Sequence, residues 1–398
     1  MEKSHKLDKI EPSKIRLMSQ KALELEAQGR KTLKFTLGQP DFDTPEYIKR
    51  ACKEGLDKGL TGYGGYAGIQ FLREEIAKKL ERENSIKYDP ANEIMVTIGA
   101  AHAAYLSIMT YLDPGDEIII PNPVYNIYKM IPYIAGATVK EYVLREENNF
   151  QMDIEEIRGL ITEKTKMIVI VSPSNPIGSI QTRETLEALG ELLKGNDRIV
   201  VVSDEIYERL VYDGAQAVST AAIPSLYDRT IVINGFSKAF AMTGWRIGYL
   251  AAPAHLLGPK VVQYSGFQVS GNNHFSQYAA AVALRDEHIY RTVETMRDEF
   301  QRRRDYFVEQ INSMKHFSCL KPQGAFYIFM NIKKTGMDSS AFVDWLMENY
   351  DVVLVSGTAF GSAGEGFARI SYASSMEDIV TACKKLHQAD VALTRMGR

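Results

Sequence analysis

Charge imbalance is the first thing this sequence has little of. Across 398 residues, 47 Lys and Arg face 50 Asp and Glu, for a formal charge of −3. That balance argues against nucleic-acid binding driven by net charge and leaves a local basic groove open. Cysteine is scarce as well. Cys52, Cys319 and Cys383 lie far apart and none forms a CxxC pair, so neither a disulfide framework nor a metal site is expected. Long apolar runs are missing. Met167–Val171 is typical of the longest, well short of a membrane span. The opening MEKSHKLDKI is charged and lacks the apolar stretch of a secretory signal. These absences point to a cytoplasmic chain with no nucleic-acid or membrane partner. Repeats and low-complexity tracts are also absent. The remaining composition, 45% hydrophobic and 24% charged, is that of an ordinary globular protein. The length allows two or three domains at roughly 150 residues each.

Hydrophobic periodicity divides the chain. Residues 1–30 are polar with a helical spacing of Ile15, Met18, Ala22 and Leu23. Helices are expected over Glu46–Leu60 and Arg73–Glu83, with a glycine-rich loop, Gly62–Gly68, between them. From about residue 93, short β-branched runs alternate with helical segments: EIMVTI, EIIIP, KMIVIV, RIVVVS, TIVING and RIGYLA. Their nearly continuous apolar character fits strands covered on both faces, as in a mostly parallel α/β sheet sandwiched by helices. A long charged helix is expected over Asp286–Met314. Beyond it lie strand candidates Ala325–Met330, Val352–Val355 and Ala368–Tyr372, and helices Ser340–Asn349 and Met376–Arg395. The expected organisation is an N-terminal segment (1–45) packing with the small domain and the active site, a large α/β domain (46–285) and a smaller α+β domain (286–398).

Ligands in open α/β sheets bind beyond the carboxyl ends of the strands. Polar and ionisable residues collect there: Gly99-Ala100-Ala101, Tyr125, Asn175, Asp204 with Tyr207, and Ser237-Lys238. Lys238 follows a strand among small and apolar residues, where desolvation would lower its pKa and make it an amine nucleophile. Arg246, between Gly244 and Gly248, offers a fork for phosphate or carboxylate. A lone lysine or arginine is more simply a surface or ion-paired residue; the two together in this context argue for a site. Gly99-Ala100-Ala101 opens a helical run, and a helix N-terminus presents free N–H groups to a phosphate. Asp204 closes an apolar strand, so its carboxylate needs a cationic partner or several donors. Tyr207 and Asn175 are hydrogen-bond donors for an anionic oxygen, and Tyr125 offers a flat face. Taken singly, each of these is more often a packed or capping residue.

Two motifs mislead. Gly62-Tyr63-Gly64-Gly65-Tyr66-Ala67 matches GxGxxA but follows a helical pattern rather than a strand, which argues against a dinucleotide fingerprint. Gly235-Phe236-Ser237-Lys238-Ala239 approximates a nucleophile elbow. A hydrolase built on it would recruit one of His274, His288, His316 or His387 and leave Lys238, Arg246 and Asp204 without roles.

Together SNPIG (from Ser174), SDEIY (from Ser203), NGFSKAFAMTGWRIGY (from Asn234), PQGAFY (from Pro322) and FARISYASS (from Phe367) resemble the class I/II aminotransferases of fold type I, over nearly the whole chain from about Ser13. These are pyridoxal 5′-phosphate (PLP) enzymes. The resemblance implies Lys238 as the amine forming the Schiff base with PLP. It implies Asp204 at the pyridine nitrogen, Tyr207 and Asn175 at the ring oxygen, and Tyr125 stacked on the ring. The phosphate falls to Arg246, Ser237, Gly99 and the N–H groups of Ala100 and Ala101. Tyr63 resembles a tyrosine reaching the neighbouring subunit's phosphate, which implies a homodimer with active sites at the interface. Arg369 resembles the clamp for the substrate α-carboxylate, with the Gly38 backbone and Asn175 beside it. The implied reaction is ping-pong transfer of an amino group from an L-amino acid to a 2-oxo acid, with Lys238 moving the proton between the substrate Cα and the cofactor. A β-eliminating C–S lyase on the same site is the alternative. An effector-sensing regulator ranks below it, because such proteins usually carry a DNA-binding helix-turn-helix module at one end and too few residues precede the resemblance for one.

The sequence departs from the family pattern in several places. Ile177 replaces the usual threonine of NPTG, Gly235 the first serine of SxSK, and Ser356-Gly357 the usual PG. Ala101 stands where a bacterial aspartate aminotransferase branch carries a lysine, and Ser265–His274 supplies no Arg or Lys. Strict aspartate preference is therefore not expected. His102, Asn272 and Asn273 are candidates to favour a polar or aromatic side chain. Ser13-Lys14-Ile15 is expected near the side-chain pocket, with Lys14 as a candidate for the missing cation.

Overall fold

The computed structural model describes residues 3–8, 10–285 and 288–398. A short strand, β1 (Leu33–Lys34), precedes the large sheet. That sheet is built from β2 (Ile94–Thr97), β3 (Glu117–Asn122), β4 (Thr138–Val143), β5 (Thr165–Val171), β6 (Val200–Asp204), β7 (Thr230–Gly235) and β8 (Gly248–Ala251). Their order across it is β2-β8-β7-β6-β5-β3-β4. Strands β3 to β7 pair in parallel, whereas β8 runs antiparallel to both β2 and β7.

The continuous apolar runs have the expected cause. In β5, Met167, Val169 and Val171 pack with Ala103, Ala104, Leu106 and Ile108 of the helix Gly99–Tyr111. The alternate residues Ile168 and Ile170 pack on the other face with Leu186 and Leu189 of the helix Arg183–Leu192. Both faces are therefore covered, and no position in the strand centre is left for a polar residue. All six expected runs become strands. β4 was not anticipated: it is the edge strand, only Tyr142 in it is buried, and its TVKEYV sequence carries too many polar residues to read as a run.

The last third holds β9 (Tyr327–Asn331), β10 (Val352–Val353), β11 (Val355–Ser356) and β12 (Phe367–Ser371). Strands β11, β12 and β9 form an antiparallel sheet, while β10 pairs in parallel with β1. The single strand expected over Val352–Val355 is thus divided at Leu354 between two sheets. The long charged helix is His288–Asn312; the Asp286 start expected for it lies outside the described residues.

The helix Lys14–Ala27 starts where the Ser13 hydroxyl accepts the Arg16 N–H. Its Met18 and Ala22 join Leu33 and Phe35 in one core with Phe342, Leu346 and Ile370, so the N-terminal segment is packed on the last third. Leu23, expected on the same face, is exposed. Among the described residues, no helix is long and apolar enough to cross a membrane. No cluster of His, Cys, Asp or Glu there could hold a metal.

Candidate active site

The sheet topology delivers side chains to one edge. Asn175 follows β5, Asp204 ends β6, Lys238 follows β7, and the helix carrying Ala100 and Ala101 follows β2. Because β8 is antiparallel, its beginning lies at that same edge and brings Arg246 with it. Arg369, from β12, closes the site from the last third. These residues line a cavity of about 310 Å³ together with Ser13, Ile15, Arg16, Leu37, Gly38, Tyr125, Tyr207, Ser237 and Tyr327.

The floor is buried and hydrogen-bonded. Tyr128 donates to Asp204 Oδ2 at 2.7 Å and the Ile206 N–H donates to Oδ1 at 3.2 Å. Burial pushes the Asp204 carboxyl above its usual range, and these two donors with the nearby Lys238 ammonium oppose that shift. Lys238 Nζ donates to the Gly38 carbonyl at 2.5 Å. Desolvation, followed by the neighbouring Arg246 charge, pushes its pKa down to about 8. Tyr207 and Tyr327 share a hydroxyl–hydroxyl bond of 2.7 Å. Arg369 is 1% exposed. It donates Nη1 to Asn175 Oδ1 at 3.1 Å and Nη2 to the Thr36 carbonyl. Its guanidinium lies 4.6 Å from the Tyr327 ring centroid. Its Nε is buried with no hydrogen-bond partner among the described residues, an arrangement that invites a ligand acceptor.

Close backbone approach explains the glycines. At Gly99 (φ +71°) a Cβ would fall 2.5 Å from Arg246 Nη2, so the guanidinium lies directly against the helix start. Arg246 itself has φ 59°, in the left-handed region that residues other than glycine seldom adopt. At Gly235 a Cβ would come within 2.9 Å of Gly248 Cα and the Ile247 carbonyl oxygen, so the serine expected there has no room. Ile177, in place of threonine, is buried among Ile170, Leu186 and Phe329. Backbone bonds from Gln323 and Gly324 to the Gly178 carbonyl join the SNPIG and PQGAFY segments, which sets Asn175 and Tyr327 into the same cavity.

Several expected residues lie elsewhere. Lys14 does not line the cavity: its Nζ donates to Thr358 Oγ1 at 3.2 Å, and Arg16 faces the cavity instead. His102 is held between the Ile98 N–H and Gln268. Asn272 donates to the Thr97 carbonyl, and Asn273 accepts from Ser276. None of these three lines the cavity. Tyr63 is 95% exposed and borders a separate depression with Gly64, Gly65, Tyr66 and Ser270. A hydrolase reading fails, because no histidine among the described residues lines the cavity. His316 is paired with Asp390, His387 with Gln310, and His274 lies over Gly64. The side chain of His288 lies outside the described residues. Tyr128, Tyr327, Thr36 and Arg16 escaped the sequence reading. Only PQGAFY, already notable as a motif, carried a signal for one of them.

Residues 30–386 match the family model for aminotransferase class I and II. An aspartate aminotransferase of Pyrococcus abyssi is 41% identical over 388 residues, covering 98% of each chain. Aromatic-amino-acid aminotransferase 2 of Thermococcus litoralis is 40% identical and covers 97% of each. The structure of the Thermus thermophilus aspartate aminotransferase with maleate superposes with a TM-score of 0.92 at 36% identity, covering 98% of this chain and 99% of that one.

Proposed function

The chain belongs to the class I and II aminotransferases, and from that premise we propose how its cavity holds pyridoxal 5′-phosphate and which amino acids it accepts. The reaction is amino transfer. The observation that carries the proposal is the convergence of Lys238, Asp204, Asn175, Tyr207, Arg246 and Arg369 on one cavity from separate parts of the chain. The donor set fits PLP. A guanidinium against a helix N-terminus suits a phosphate. A buried acid that forms no direct ion pair among the described residues suits a protonated ring nitrogen. A lowered-pKa amine suits an aldehyde.

When bound, PLP supplies an aldehyde carbon and an electron-withdrawing ring. Arg246, Ser237 and the N–H groups of Ala100 and Ala101 hold its phosphate, with Gly99 leaving room for Arg246. Asp204, fixed by Tyr128, holds the ring-nitrogen proton. Asn175 and Tyr207 face the ring oxygen, and Tyr125 covers the ring. Arg369, already braced by Thr36 and Asn175, clamps the substrate α-carboxylate and gives its unpartnered Nε an acceptor; Gly38 lies alongside. Lys238 Nζ, released from the Gly38 carbonyl, would take the Cα proton and pass it to the carbon that the cofactor's aldehyde supplies, as a group titrating near the working pH does best.

The substrate side chain points to the wall of Ser13, Ile15, Arg16, Leu37 and Ile127. Arg16 has no ion pair or side-chain hydrogen bond among the described residues. We assign it to the side-chain carboxylate of a dicarboxylic donor or acceptor, while the apolar wall admits aromatic and aliphatic side chains. The maleate-bound Thermus relative supports the first half of this assignment and the Thermococcus relative the second. Exposed Tyr63, Tyr66 and Phe267 support a homodimer in which Tyr63 reaches the partner's phosphate. The test is a panel of amino donors, glutamate, aspartate, phenylalanine, tyrosine and alanine, against 2-oxoglutarate, oxaloacetate and pyruvate. Turnover is expected with glutamate or aspartate and, more slowly, with aromatic donors. Pyruvate and ammonia released from cysteine conjugates without any 2-oxo acid, and no amino transfer, would favour the lyase instead.

A further inference from the structure

The hydroxyl of Tyr327 is a buried polar group that the roles assigned above leave unused. It lies 2.7 Å from the Tyr207 hydroxyl, and the two rings meet edge to face at 5.7 Å. The position is tightly determined. The Arg369 guanidinium lies over the Tyr327 ring. A Cβ on Gly38 would fall 2.3 Å from the Tyr327 oxygen, so the Gly38 backbone closes over the hydroxyl. That same Gly38 offers its carbonyl to Lys238. Burial pushes both phenols above the ordinary tyrosine range, so each keeps its proton.

Two phenols in contact have two protons to place. If Tyr207 gives its proton to the ring oxygen of the cofactor, its own oxygen is free to accept. The Tyr327 hydroxyl has no other hydrogen-bond partner among the described residues. A hydroxyl that accepts one bond while donating another is a stronger donor, because the bonds polarise each other.

We propose that Tyr327 is a positioning residue that donates its hydroxyl proton to Tyr207, fixing the direction of the Tyr207 hydroxyl and strengthening its bond to the ring oxygen of PLP. This rests on the placement of Tyr207 proposed above. The consequence is a property of the cofactor's absorption spectrum. A stronger donor at the ring oxygen favours the form of the cofactor in which that oxygen is ionised, and so lowers the pH at which its visible band titrates.

The test is a spectroscopic pH titration of the PLP-loaded wild-type enzyme, Tyr327→Phe, Tyr207→Phe and the double variant. Phenylalanine keeps the ring under Arg369, so substrate clamping is preserved. The midpoint in Tyr327→Phe is expected to rise by about 0.4 to 1 unit, the range that one net hydrogen bond spans. Tyr207→Phe should raise it at least as far, and the double variant should match Tyr207→Phe, because Tyr327 acts only through Tyr207. In Tyr327→Phe, kcat should fall about 3- to 10-fold, with KM within about twofold of wild type. An unmoved midpoint in Tyr327→Phe alone, or additive shifts in the double variant, overturns the relay while leaving the role of Tyr207 intact. An unmoved midpoint in Tyr207→Phe overturns the placement of Tyr207, and the proposal with it.

Discussion

The floor and the rim of the cavity are built differently. The floor (Asp204, Tyr207, Tyr327, Arg369) is buried, and each member is held by another part of the fold before any ligand arrives. The rim contributed by Ser13, Arg16 and Leu37 is exposed, and the Arg16 guanidinium has no ion pair or hydrogen bond among the described residues. A preorganised floor suits chemistry that is the same for every substrate. It lets donors act on a transition state without rearranging. A loose rim suits side chains that differ from one substrate to the next. The difference teaches that reaction and specificity are carried by separate parts of this chain: the strand ends hold the first and the N-terminal helix the second.

Four measurements would break or sharpen that contrast. Lys238→Ala should lose amino transfer by about 10⁴-fold or more, since one side chain serves as both nucleophile and proton carrier. Measurable turnover close to wild type would remove Lys238 from the chemistry. Arg369→Gln should raise KM for α-amino acids by about 10² to 10³-fold, the effect of deleting one partner of a buried charge-assisted pair, and should affect amines without a carboxylate far less. Equal losses for both kinds of substrate would deny the clamp. The pH dependence comes next. Only the neutral amine of Lys238 couples to PLP, and the folded protein lowers its pKa to about 8. The rate of apoenzyme reconstitution should therefore climb as pH rises toward 8 and level off above it. A climb that continues past pH 10 would mean that the amine is not desolvated. The smallest effect belongs to the rim. Arg16→Gln should raise KM for glutamate and aspartate by about 10-fold or less, the size of a partly exposed charge contact, and leave phenylalanine nearly unchanged. A larger loss shared by all donors would show that the rim, too, belongs to the chemistry.

Part of the site was visible in the sequence because Asp204 ends a strand run and Tyr207 and Lys238 follow one closely. Lys238 comes three residues after the end of TIVING, and Asp204 sits at the end of RIVVVSD, so locating the strand located the residue. Tyr128 and Thr36 gave no such signal. Tyr128 lies inside the helix Ile127–Ala135 and matters only because that helix places its hydroxyl on Asp204, 76 positions away in sequence. Thr36 matters only through its backbone carbonyl, which no side-chain pattern can announce. Lys14 and Arg16 show the limit plainly. Both are cations near the Ser13 helix cap, and two residues along a helix turn the direction by about 200°. Helix phase sends Lys14 to Thr358 and Arg16 to the cavity.

By itself, the sequence determined the central strands, the family and the main chemical groups of the site, because burial on both faces of a sheet and reactivity at its ends are written in residue type and short spacing. Tertiary structure alone decided that β8 would run antiparallel and carry Arg246 to the same edge as Lys238. It also decided that Tyr327 would meet Tyr207 across 120 residues and that Arg16 rather than Lys14 would face the substrate. These are distances between parts of the chain far apart in order, and they are set by how whole elements pack rather than by any local pattern.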